Sequence, residues 1–119
     1  RSTLFPYTTL FRSPLLASIS LPVHNILRNE LGFDGVIITD DLVMEGVRQF
    51  AGDAEIAVRA VQAGNDMLCC TDFEVQVPAV IKAVETGEIT EERLNESVLR
   101  ILKMKIKLGI IADYQNFSQ

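Results

Sequence analysis

The stretch GVIITDDL, residues 35–42, sets Asp40 and Asp41 directly behind a run of β-branched and aliphatic residues. Such a run reads as a strand buried on both faces, as in a parallel sheet. In parallel α/β folds the reacting groups gather at the C-terminal ends of the strands, where loops vary while the strands hold position. A carboxylate there can serve as a covalent nucleophile, a general base or a Mg²⁺ ligand. It can equally do no more than cap the next helix. Position alone leaves Asp40 and Asp41 open to any of these roles. Asp72, behind the second short apolar run DMLCC, stands on the same rim.

Other chemistry is scarce. His24 is the single histidine, and its place in the first turns of an amphipathic helix predicts a surface or packing role. No Ser/His/Asp set, metal-spaced Cys/His cluster or glycine-rich phosphate loop can be assembled, and no cofactor is implied. Cys69 and Cys70 are adjacent, so on a strand they point to opposite faces and would form a disulfide only with strain. Nothing near them in sequence would lower a thiol pKa, and both read as core. Met44 and the other methionines read as packing, although Met44 lies just past the aspartates, within reach of a ligand.

The elements that would position these residues follow from periodicity. Ser20 as cap, Pro22 in the first turn, Val23, Ile26, Leu27 and Leu31 on one face and Gly32 as the stop define a first helix. After the strand VIIT, a second helix has Asp53 as cap, Ile56, Ala57, Ala60 and Val61 as its buried face, and Gly64 as its stop. DMLCC supplies a second strand. A further helical stretch starts at Thr71 or Asp72, with its main body running from near Pro78 to Gly87, since proline is poorly tolerated inside a helix. Thr90 caps a last helix with Glu91 and Glu92 in its first turn, and Leu94, Val98, Ile101, Leu102 and Leu108 lie on one face before Gly109. This alternation is the grammar of an α/β fold with a parallel sheet. Two strands alone leave sheet edges open, which predicts a piece of a larger domain.

With 119 residues, 48% hydrophobic and 23% charged, the chain has the composition of one globular domain. The net charge of −5 excludes nucleic acid as a partner, because no basic stripe is present to neutralise phosphates. No apolar run approaches the length of a membrane span. The opening RSTLFPYTTLFRS, residues 1–13, has neither a helical nor a strand period, and Pro6 and Arg12 break any signal-peptide core. It resembles the translation of a widely used sequencing-adapter oligonucleotide, so residues 1–13 are expected to be non-native. Without Arg1 and Arg12 the remainder, residues 14–119, is more acidic still.

ILRNELGFDGVIITDDLVM, followed by AVRAVQAGNDML and EERLNESVLRILKMKIKLG, resembles the family 3 glycoside hydrolases, in particular their β-N-acetylhexosaminidase branch. The signature positions are Ile26, Leu27, Arg28, Glu30, Gly35, Val36, Ile37, Ile38, Thr39 and Asp40, and the resemblance implies that Asp40 is the catalytic nucleophile. Val43 departs from the small or polar residue usual at its place. The order DDLxM, where glucoside-acting members often carry tryptophan after the aspartate, is similar to the hexosaminidase branch. Its substrates are carbohydrates, N-acetylglucosaminides including peptidoglycan fragments.

The resemblance covers Ala17 to Tyr114 and implies the last two strands of a (β/α)₈ TIM-type barrel of typically ~250 residues. It implies a retaining mechanism whose acid/base is a histidine paired with an aspartate on an earlier loop, a position that His24 does not match. The isolated chain is therefore expected not to turn over substrate. The parent would sit in a bacterial cytoplasm or cell envelope, without a choice between them. Two other readings compete: a receiver-like domain, with the acidic pair holding Mg²⁺ beside a phosphoacceptor, and a non-catalytic interaction fragment whose uncovered strands pair with another chain.

Overall fold

The computed structural model describes residues 17–42, 52–70 and 72–112. A 3₁₀ turn at Ala17–Ile19 leads into helix α1, Leu21–Asn25, which widens into a turn of π-helix over Ile26–Glu30. Strand β1, Ile38–Asp41, is followed by helix α2, Asp53–Ala63, and strand β2, Met67–Cys69. Helices α3, Phe73–Glu85, and α4, Glu91–Lys107, complete the order. The strands pair in parallel, so the crossover that carries α2 returns the chain to the same end of the sheet. The expected α/β pattern with two parallel strands is present.

Helix α2 forms the centre of the core. Its Ile56, Ala57 and Ala60 pack with Ile19 and Leu42, and with Leu68 and Cys70 from β2 and its exit. Its Val58 and Val61 pack instead with Ala83, Ile89 and half-buried residues of α3. Alanine at positions 57 and 60 leaves no side-chain bulk to hold neighbours off, and each fully buried Ile or Leu contributes about 1.5–3 kcal/mol. The buried face expected for this helix is the one observed.

Several local expectations are corrected. Gly52, not Asp53, occupies the N-cap of α2, and Asp53 becomes its first residue, where a carboxylate complements the helix dipole. Helix α3 starts at Phe73 and runs through Pro78, ending at Glu85. Proline costs it one internal hydrogen bond, the one its missing N–H would have made to Glu74. Leu31 is exposed rather than part of the helix face, because the chain turns away at Gly32. Ser20 holds the N-cap of α1 without a side-chain cap; its carbonyl accepts from the His24 N–H at 3.2 Å and lies 2.8 Å from His24 Nδ1.

The larger correction concerns burial. Strand β1 begins at Ile38, leaving Val36 and Ile37 before it, and Ile38 is 59% exposed instead of buried on both faces. Its paired neighbour Met67 is exposed as well, as is Cys69, which is therefore not core. Helices cover one face of the sheet, and among the described residues nothing covers the other. Of the apolar face expected for α4, Val98 and Leu102 are likewise exposed, as is Leu108 just past its end, while Leu94 and Ile101 are half-buried and Ser97 is the buried residue. Among the described residues no helix is long and apolar enough to cross a membrane.

Gly64 ends α2 with φ +120, and a Cβ there would sit 3.3 Å from Cβ and Cδ2 of the buried His24. Gly64→Ala should lower stability by about 1 kcal/mol or more. The check is the urea midpoint, expected to fall with an unchanged m-value.

Candidate active site

The site begins with the anchor of β1. Asp66, between α2 and β2, has a side chain with 0% exposure and receives bonds from three segments. Arg28 on the π turn reaches Oδ2 at 2.5 Å, while Ser97 and Arg100 on α4 donate to Oδ1 at 2.7 and 3.1 Å. Arg93 adds an ion pair at 3.9 Å and donates to the Asn65 carbonyl at 2.7 Å. Arg93, Ser97 and Arg100 fall at helical spacing on one stripe of α4. The helix therefore meets the body through a polar face, not through the apolar one that its sequence advertises.

The same aspartate sets the strand pair. Its Oδ2 accepts the Ile37 N–H at 2.9 Å, and its own N–H donates to the Ile37 carbonyl at 2.8 Å. Arg28 also donates to the Phe33 and Gly35 carbonyls at 2.9 and 2.6 Å and lies 5.7 Å from the Phe33 ring centroid. A Cβ on Gly35 would stand 2.7 Å from Phe33 Cζ, so any larger residue there would push the exposed Phe33 ring aside. The loop into β1 is thus held on both sides before the strand starts.

At the other end of β1, Asp40 is exposed. Its Oδ1 accepts the Asp41 N–H at 2.8 Å, and its N–H donates to Ser18 Oγ at 3.2 Å. Asn65 Nδ2 holds Ser18 in place through the Ser18 carbonyl at 2.6 Å and also donates to the Ala60 carbonyl at 2.7 Å. Asp41 is half-buried. Asp72 takes the N-cap position of α3, where its carbonyl accepts from the Gln76 N–H at 3.0 Å, past the same C-terminal end of the parallel strands as Asp40. Met44 lies outside the described residues, as do Val43 and residues 1–13.

Two cavities of about 530 and 510 Å³ lie elsewhere, one beside Gly35, Arg100 and Lys103 and the other beside His24 and Gly64. Neither is lined by Asp40 or Asp41. His24 is 4% exposed and packs against Gly64, so of the two roles expected for it the structure gives packing. Burial, with the neighbouring Cys69 and Asp41, pushes the Cys70 thiol up, the reverse of an activated nucleophile. Among the described residues no group of three or more His, Cys, Asp and Glu could hold a metal ion.

Comparison with known proteins decides the family. Residues 7–104 match the family described as "Glycosyl hydrolase family 3 N terminal domain". The chain belongs to glycosyl hydrolase family 3. The matched span starts inside the stretch that resembles an adapter. A β-N-acetylglucosaminidase/β-glucosidase of Cellulomonas fimi is 33% identical, over 74% of this chain and 16% of its own length. β-Hexosaminidase A of Pseudoalteromonas piscicida is 32% identical, over 70% of this chain and 16% of its own. Among solved structures, a family 3 β-N-acetylglucosaminidase from Paenibacillus sp. str. FPU-7 superposes with a TM-score of 0.75 at 41% identity. That likeness covers 83% of this chain and 20% of the other.

The family 3 chain thus spans about a sixth of the length of the curated relatives it matches. Of its signature residues, Arg28, Gly35, Ile37 and Thr39 all make contacts that hold β1. Ser18, Asn65, Asp66, Ser97 and the two arginines of α4 were not singled out from sequence. The available signal was weak: Arg93, Ser97 and Arg100 share a helical stripe beside, and not on, the apolar face centred on Leu94, Val98 and Ile101.

Burial opposes ionisation of Asp66 and is the largest single influence on it. The Ile37 N–H, the Ser97 hydroxyl, Arg100 and the charge of Arg28 together outweigh it, so the carboxyl is held below its ordinary value of 3.8. The folded state therefore binds fewer protons than the unfolded one in that interval. Its stabilisation is complete above the ordinary value and falls away as pH drops below it. Asp66→Asn should cost about 3 kcal/mol at neutral pH, because Arg28, Arg93 and Arg100 lose their counter-charge. Denaturation followed from about pH 6 down to about pH 2 should show the gap between the two proteins narrowing in acid.

Proposed function

We propose that this chain is the nucleophile-bearing, C-terminal portion of a (β/α)₈ barrel from a retaining β-N-acetylhexosaminidase. The observation that carries the reading is the placement of Asp40. It stands at the C-terminal end of a parallel strand, on the sheet face away from the helices, with one carboxylate oxygen held by the Asp41 N–H. In a closed barrel that face is the interior. Exposed Ile38 and Met67 would then be interior side chains of the barrel, and the apolar side of α4 would meet a preceding element. The names of the Cellulomonas, Pseudoalteromonas and Paenibacillus proteins support an N-acetylglucosaminide as the substrate.

In this mechanism a carboxylate oxygen of Asp40 forms a bond to the anomeric carbon as the glycosidic bond breaks. The departing oxygen takes a proton from a separate acid, and the same group then deprotonates the water that releases the sugar from Asp40. The one histidine, His24, is buried between Ser20 and Gly64, which suits packing rather than that step. Such a chain would hold the nucleophile without the acid/base, and the segment alone would not turn over substrate. Met44, four residues beyond Asp40, is proposed as a substrate contact. Residues 1–13 are proposed to be adapter-derived, a reading that genomic sequence upstream of the Pro14 codon tests directly.

The experiment supplies the missing units. The segment from Ala17 to Ala112 replaces its counterpart in the Paenibacillus enzyme, and hydrolysis of 4-nitrophenyl N-acetyl-β-glucosaminide is measured. The chimera should hydrolyse it with retention at the anomeric carbon, ahead of the corresponding glucoside. Asp40→Gly should lose about 10⁴-fold or more, with azide restoring turnover as the α-glycosyl azide, whereas Asp41→Asn should stay within about tenfold. Full activity in Asp40→Gly overturns the assignment.

A further inference from the structure

The two strands do not keep step. Ile38 pairs with Met67, whereas Asp41 pairs with Cys69, so β1 carries one residue more than β2 over the same interval. That surplus is a β-bulge, which breaks the ladder locally and re-aims a side chain. It falls on Thr39 and Asp40.

The hydrogen bonds show what holds it. The Cys69 N–H donates to Thr39 Oγ1 at 2.8 Å, a side-chain oxygen that joins the two strands inside the bulged interval. The ladder resumes when the Leu42 N–H donates to the Cys69 carbonyl at 3.2 Å. Asp40 turns its N–H out of the ladder, to Ser18 Oγ, and its Oδ1 to the Asp41 N–H. Thr39 is buried and Asp40 is exposed, so the two point to opposite faces.

We propose that Thr39 is a positioning residue for Asp40, its hydroxyl holding the Cys69 N–H across the bulge and so keeping the Asp40 carboxylate on the open face of the sheet. The inference rests on the reading of Asp40 as nucleophile, but the bulge itself does not. Valine would fill the same volume and favour the strand equally, yet it offers no acceptor. The Cys69 N–H would then lose the hydroxyl, and a one-residue slip of β1 in response would exchange the faces of Thr39 and Asp40. Serine keeps the acceptor and loses only a methyl group.

Two readouts separate the possibilities. In the 119-residue chain, Thr39→Val should speed hydrogen exchange of the Cys69 amide about tenfold or more, leaving the α2 amides unchanged, while Thr39→Ser should not. In the chimera, Thr39→Val should lower kcat about 10²-fold with KM within about threefold, and Thr39→Ser should restore kcat to within about threefold. Thr39→Ala, which removes the acceptor without the bulk of valine, should repeat the loss if the valine protein does not fold. Parent-like kcat in the valine or alanine protein, or equal loss in the serine protein, overturns the proposal. Should Asp40→Gly keep its activity, the nucleophile reading fails while the exchange result still decides whether Thr39 holds the bulge.

Discussion

The buried carboxylate of Asp66 is the point at which three segments distant in sequence become one body. Arg28 arrives from the first helical segment, Ile37 from the entry to β1, and Ser97 and Arg100 from α4. None of these contacts is hydrophobic. The apolar clusters join α2 to the 3₁₀ turn, to β2 and to α3, and they would persist without α4. Buried ion pairs return less stability than apolar packing of equal volume, but they tolerate few alternative arrangements. Here they fix where β1 begins and how α4 is turned.

Legibility in the sequence followed which residues have local physics. Thr90 was readable as a cap because its hydroxyl needs only the N–H three residues on, and it accepts from Arg93 at 3.2 Å. The buried face of α2 was readable because Ile56, Ala57, Ala60 and Val61 repeat at helical spacing and all are buried. Asp40 was readable as a strand-end carboxylate, and the strand ends one residue later, at Asp41. The face of α4 was only partly readable, since the docking stripe of Arg93, Ser97 and Arg100 lies about a quarter turn from the apolar face, of which only Leu94 and Ile101 are half-buried. A buried arginine stripe looks like solvated charge until its partner Asp66, about thirty residues earlier, is known. The bulge at Thr39 was equally hidden, because it is a property of two strands in register and neither strand contains it alone.

The apolar surface left open is ordered rather than scattered. Ile38 and Met67 are paired across the sheet and both exposed, on the face that also carries Asp40. A sheet covered by helices on one side and bare on the other is half of a two-layer arrangement, and a barrel supplies the second layer from its own remaining strands. Membership of family 3 explains this surface without invoking a foreign partner. An interaction fragment would need the same bare face, so exposure alone favours neither, whereas the placement of a carboxylate on that face favours the barrel interior.

The two ends of β1 then differ in kind. Its foot is held by charge and backbone together: Asp66 takes the Ile37 N–H, and the Ile37 carbonyl takes the N–H groups of Asp66 and Met67. Its tip is held by three side-chain oxygens, those of Ser18, Thr39 and Asp40 itself. Three residues of extended chain separate Ile37 from Asp40, about 10 Å at the usual rise. A rotation of the foot by a few degrees would therefore move the carboxylate by several tenths of an ångström, a displacement that matters where reacting atoms must meet at ~3 Å. A rigid foot makes the tip's adjustment local, so Thr39 and Ser18 need only choose a face for Asp40 and need not also hold the strand.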